Sequence, residues 1–306
     1  MPHREALRRA GRWLGWLTVA LSLGFVARQL WIATPWQLVA ERSWPLTVAI
    51  AAGALAYGGA SLLLSTAWRR LLTRGPPTCP LRCYHAIYGR TQIAKYLPGN
   101  VFHFAGRQIL GRRLGHTQAD LATASLLETG ELMLVAALMA LPLAWPWLAA
   151  SSWWWSLGSG AAAAMIGLWW LGRRMLWRPG DLVSLLQAAL LYGAFFAISG
   201  FIAWVLVWSV QSGGDRPPEL TTSIAAFSMA WVTGFVVPGA AAGIGIREAV
   251  LIMALGTGVG AEIGALVAVS LRLVTVGGDG LFFLISLICP LPPEHKPIQP
   301  KHNNPR

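Results

Sequence analysis

The sequence predicts an all-α polytopic membrane protein: six spanning helices plus two re-entrant helical hairpins in an inverted-topology repeat. Three observations predict it. Hydrophobic residues make up 55% of the chain and charged residues only 12%, with a mean hydropathy of +0.54, where a soluble domain carries about 25% charged residues. Several apolar runs reach the roughly 20 residues needed to cross a hydrocarbon core. Two further apolar stretches that do not fit as simple spans break on similar motifs, PGNVFHFAGR and PGAAAGIGIR.

The spans are read at about 13–32, 45–67, 119–143, 153–172, 182–209 and 261–288. The first follows a basic run, Arg4 to Arg12. Its apolar stretch is long enough to span and shows no small-residue cleavage site, so it is expected to stay as a helix and not to be removed as a signal peptide. The broken stretches occupy about 83–112 and 222–257. The single transmembrane domain is placed at 1–289, with half one at about 1–147 and half two at about 148–289. The Pro-rich polar tail, 290–306, is expected to be disordered. The 17 Trp residues suit a chain with two water–lipid interfaces.

The net charge of +12 is assigned to positive-inside loops and not to a nucleic-acid surface. Arg4, Arg8, Arg9 and Arg12 precede the first span; Arg69, Arg70, Arg74 and Arg82 follow the second; Arg173, Arg174 and Arg178 separate the fourth and fifth. All fall on one side if both termini are cytoplasmic and the chain crosses six times. Each broken stretch must then leave on the side it entered, the first hanging from the cytoplasm and the second from outside. The chain is therefore expected to be a multi-pass membrane protein with both termini on the cytoplasmic side.

Each break is Pro-Gly, seven residues, then Arg: Pro98, Gly99 and Arg107 in the first, Pro238, Gly239 and Arg247 in the second. Each lies before the last span of its half. A half of three spans is odd, so the second half enters the membrane inverted, as in many transporters whose broken helices meet near the midplane. Proline ends the preceding helical segment and glycine permits the reversal. A new helix N-terminus at that depth, with an arginine beside it, attracts anions. Bare backbone there must be buried in protein or line a wet cavity.

Four charges fall well inside spans, away from their ends. Glu128 and Glu131 are three apart on one face of the third span, and Arg272 and Asp279 are seven apart in the sixth. A charge at mid-bilayer costs about 2.5–3.5 kcal/mol on insertion scales, so such groups face an interior and pair. Two readings stay open for Glu128, Glu131 and Arg272: a structural ion pair joining spans, or a polar cavity for a head group or a coupling proton. His103, inside the first hairpin, is a head-group candidate or a hydrogen-bonded structural histidine. Cys79 and Cys83 have no second pair of ligands, so they and Cys289 are read as free thiols, and neither metal nor cofactor is expected. The chain has no Walker motif, G-x-S-x-G or H-E-x-x-H.

The run YGRTQIAKYLPGNVFHFAGRQILGRRLG, followed by LLETGELMLV, resembles the flippase-like membrane region of the lysylphosphatidylglycerol synthase family. The run GFVVPGAAAGIGIREAVLI resembles that family's second signature, and the likeness covers roughly 80–290. The resemblance implies a stand-alone lipid flippase: the cytosolic aminoacyl-transfer domain of the two-part members is absent, so the synthase reaction is not carried over. Lys95, Pro98, Gly99, Asn100, Arg107, Glu128, Pro238, Gly239, Arg247 and Glu248 match the family's pattern and are implied to line its cavity. Relatives often have more glycine where this chain has Ala240 to Ala242.

The expected function is therefore translocation of an anionic phospholipid, glycolipid or polyprenyl-phosphate-linked lipid. Lys95, Asn100, His103, Arg107, Arg247 and Glu248 would serve the head group, and a lipid-modifying enzyme or glycosyltransferase is a candidate partner. The alternatives are a membrane glycosyl- or lipid-modifying transferase, its accessory subunit, or a transporter of a small solute. A transferase needs an exposed catalytic acid, and the outer loops offer Glu41, Asp215 and Glu219 with no D-x-D.

Overall fold

The computed structural model describes residues 43–72, 79–96, 101–150, 181–211, 218–236, 243 and 245–291. Among them it is all-α, with eight α-helices. They are α1 (Ser43–Leu71), α2 (Leu81–Gln92), α3 (Phe102–Gly111), α4 (Gln118–Ala150), α5 (Asp181–Val210), α6 (Leu220–Val236), α7 (Ile246–Val259) and α8 (Ala261–Ile288). Short 3-10 turns, Ile93–Tyr96 and Arg112–Leu114, follow α2 and α3. The spans read at 13–32 and 153–172, the tail from 292 on, and the four break residues Pro98, Gly99, Pro238 and Gly239 lie outside the described residues, as does Asn100.

Among the described residues four helices are long and apolar enough to cross a membrane: Trp44–Leu71, Gln118–Ala144, Leu182–Val210 and Ala261–Ile288. They coincide with the expected spans at 45–67, 119–143, 182–209 and 261–288, each within a few residues. These helices are apolar on nearly every side, which is the pattern of a helix whose outer face meets lipid. Leu55, Leu126, Leu190 and Ile288 point outward, while Trp68, Tyr84, Tyr192, Phe195, Phe196 and Phe282 fill the interior. The chain is a multi-pass membrane protein on this basis.

The core is organised around α8, which packs against α1, α2, α5 and α7; α1 also runs along α5, and α6 lies between α4, α5 and α7. Small residues let α8 approach α1 closely. A Cβ on Gly278 of α8 would lie 2.8 Å from the Ala54 carbonyl oxygen and 2.9 Å from the Gly58 nitrogen of α1. Lipid tails supply no hydrophobic drive for helix association, so close backbone contact of this kind is what holds membrane helices together. Arg90 fastens α2 to the far end of α8. Its Nε donates to the Ser286 carbonyl at 3.2 Å, and its Nη2 donates to the carbonyls of Leu287 at 3.2 Å and Cys289 at 2.9 Å. These are carbonyls that a helix C-terminus leaves without intrahelical partners.

Candidate functional site: two buried charge clusters

The first cluster forms where α2, α3 and α4 meet. The Arg107 guanidinium, carried inward by the buried face of α3, forms an ion pair with Glu128 of α4. Its Nη2 donates to the Gln92 amide oxygen at 2.8 Å, and the guanidinium lies 3.7 Å from the Tyr88 ring centre. The Tyr88 hydroxyl donates to the other Glu128 carboxylate oxygen at 2.6 Å. Arg107 and Glu128 are each 1% exposed. Charge, hydrogen bonds and ring face are thus matched, as a buried ion pair requires. Glu131, one turn on, is partly buried, and its Oε2 has no hydrogen-bond partner among the described residues. His103 is buried against Phe104, its Nδ1 likewise without such a partner.

The second cluster surrounds α8. Asp279, 1% exposed, pairs with Lys95 at 2.6 Å and accepts a hydrogen bond from the Tyr96 hydroxyl at 2.5 Å. Arg272, 6% exposed and two turns earlier, lies over the Tyr96 ring and pairs with Glu248 of α7 at 3.5 Å. Arg247 lies over Trp231 of α6, 5.6 Å from the ring centre. Lys95 is also within electrostatic reach of Arg247 and Arg272, so these groups form one field. Glycine makes room for Arg247. A Cβ on Gly234 would sit 2.5 Å from its Cγ, and one on Gly243, where φ is +70°, would sit 2.7 Å from its Nε.

The start of α7 differs in one respect from the sequence expectation of an open anion site. The Gly245 N–H donates to the Glu248 carboxylate at 2.7 Å, so the helix caps itself with its own acid. A pocket opens beside it between α6, α7 and α8. It is lined by Phe227, Trp231, Arg247, Glu248, Arg272 and Thr275, among others, and encloses about 320 Å³ including the space at its mouth.

The clusters collect Lys95, Arg107, Glu128, Arg247, Glu248, Arg272 and Asp279 in ion pairs or beside the pocket. They divide them in a way the sequence did not anticipate. Glu128 takes its cation from α3, and Arg272 takes its acid from α7. The sequence reading missed Tyr88, Gln92, Tyr96 and Trp231. A signal for two of them was present: Tyr84, Tyr88 and Gln92 recur every four residues and so lie along one side of α2. Among the described residues no group of three or more His, Cys, Asp or Glu is placed to hold a metal ion.

No protein-family model matches this chain, and no curated protein matches it either. Fold and composition establish a multi-pass, all-α membrane protein with two charge clusters among its helices.

Proposed function

We propose that this protein is a lipid translocase of the flippase-like kind, moving a lipid with an anionic or phosphate-bearing head group across a bacterial inner membrane. The observation that carries this reading is the second cluster. Segments flanking both Pro-Gly motifs, Lys95 from the first and Arg247 with Glu248 from the second, converge on Arg272 and Asp279 of one spanning helix. Ionisable groups within apolar helices are costly and mark substrate or ion pathways. Convergence of the segments beside both motifs on one charged site fits an inverted repeat with two re-entrant hairpins. The resemblance of KYLPGN and PGAAAGIGIRE to the lysylphosphatidylglycerol synthase membrane region supports the same reading, with six spans and both termini cytoplasmic.

In this proposal the head group enters the polar pocket while the tails stay in lipid. Arg107 holds the first hairpin in shape through Glu128, and the pocket beside Arg247 and Arg272 receives the anion. The test is reconstitution in liposomes with fluorescent phosphatidylglycerol and polyprenyl-phosphate analogues. Excess movement between leaflets, lost in Arg272→Gln, is the expected result. Movement no faster than in protein-free liposomes for every lipid tried refutes the reading.

A further inference from the structure

We propose that Glu248 is a resident counter-anion of the pocket between α6, α7 and α8, and that a phosphate group binds there by displacing its carboxylate from Arg272. This deepens the translocase reading and rests on it only for the source of the phosphate.

The charge balance gives the first argument. Lys95, Arg247 and Arg272 face two carboxylates, Asp279 and Glu248, within one electrostatic field. Asp279 is held at short range by Lys95 and Tyr96. Glu248 pairs with Arg272, lies beside Arg247, and is shared with the amide of Gly245. The field therefore retains one cation in excess among the described residues, and an apolar surround makes an uncompensated charge expensive.

Geometry gives the second. Arg247 makes no ion pair with a described residue; its Nε is buried without a hydrogen-bond partner, and the guanidinium rests on the Trp231 face. Glu248 meets Arg272 at 3.5 Å, long beside the 2.6 Å between Lys95 and Asp279. Its grip on Gly245 at 2.7 Å is the tighter one. The carboxylate can thus release Arg272 and still cap α7. A phosphate offers oxygens enough for both guanidinium groups, in the charge-assisted mode that arginine favours. The pocket is small and open on one side, so a phosphate reaches the arginines at its mouth and the rest of a lipid stays outside.

The experiment titrates purified full-length protein in detergent with a fluorescent phosphatidylglycerol analogue and reads anisotropy. Glu248→Gln keeps an acceptor for Gly245 and removes the competing charge; it is expected to tighten binding about threefold to tenfold. Arg272→Gln is expected to weaken binding tenfold or more. Gly234→Ala, which displaces Arg247 and leaves every charge in place, is expected to weaken it as well and covers the case in which Arg272→Gln does not fold. A diacylglycerol analogue without phosphate is expected to respond to none of these changes.

Competition by inorganic phosphate shows a site open to soluble phosphate, and its absence shows one fed by lipid; both sustain a phosphate site. Unchanged or weaker binding in Glu248→Gln, or equal affinity for diacylglycerol, overturns the proposal. Binding that follows this pattern without lipid movement in liposomes sinks the translocase reading alone. Lipid movement indifferent to Glu248 and Arg272 sinks this site alone.

Discussion

Replacing Glu128 with Gln removes one charge and little shape, and its consequences follow from what surrounds it. The Arg107 guanidinium, 1% exposed, loses its counter-charge while its bond to Gln92 and its place over Tyr88 persist. Breaking a buried pair by removing one partner costs about 3–5 kcal/mol, and the surviving contacts put this case near about 3 kcal/mol. Arg107→Met alone strands the carboxylate and is expected to cost a similar amount. In the double variant neither charge remains, so it is expected to be no less stable than either single variant. That amounts to a coupling of about 3 kcal/mol, at the upper end for contacting residues. Unfolding in mixed micelles with increasing SDS measures all four proteins. Single losses that simply add refute the reasoning, because the pair is then not a unit. Transport adds a second readout: a stable double variant that still moves lipid keeps Arg107 in its structural role, and one that does not returns it to the head-group path.

Other expectations follow from close contacts. Gly200→Ala places a Cβ 2.4 Å from the Ile224 Cα across the α5–α6 interface, and overpacking of this kind costs about 1–3 kcal/mol, visible as a lower melting temperature. Gly59→Ala, with nothing within 4 Å of its Cβ, is the control and is expected to be neutral or up to about 1 kcal/mol stabilising through helix propensity. Lys95→Met leaves Asp279 buried with the Tyr96 hydroxyl alone and is expected to lower the melting temperature, with partial recovery when Asp279→Asn is added. Arg90→Gln removes donors from three carbonyls at the end of α8; faster amide hydrogen exchange confined to that end and the facing turn of α2 is the expected signature.

Hydropathy made α1, α4, α5 and α8 legible because a span is a local property: about 20 apolar residues suffice, whatever they touch. Arg272 and Asp279 were legible for the same reason, as charges where charges are costly. Their partners were not. Glu128 and Arg272 look equivalent along the chain, yet each is paired through a shorter element, α3 or α7, whose placement depends on tertiary packing. Tyr88 and Gln92 read as ordinary polar turns of α2 until Arg107 is brought between them. The self-capping of α7 by Glu248 is written in the sequence as Gly245 followed three residues later by Glu, a spacing that becomes a cap only once the helix starts at Ile246.

The Arg90 clasp gives α8 a fixed pivot. With three carbonyls held at one end, the helix cannot slide along its axis by even one residue, about 1.5 Å, without breaking them. The other end begins at Gly260, where φ is +86° and α7 has just finished. A tilt about the clasped end would leave those three bonds least disturbed. Arg272 lies about 24 Å from Ile288 and Asp279 about 13 Å, from the helical rise. A tilt of about 10° would carry Arg272 by about 4 Å and Asp279 by only half as much. In such a tilt the pair of Asp279 with Lys95 would be disturbed less than the pair of Arg272 with Glu248.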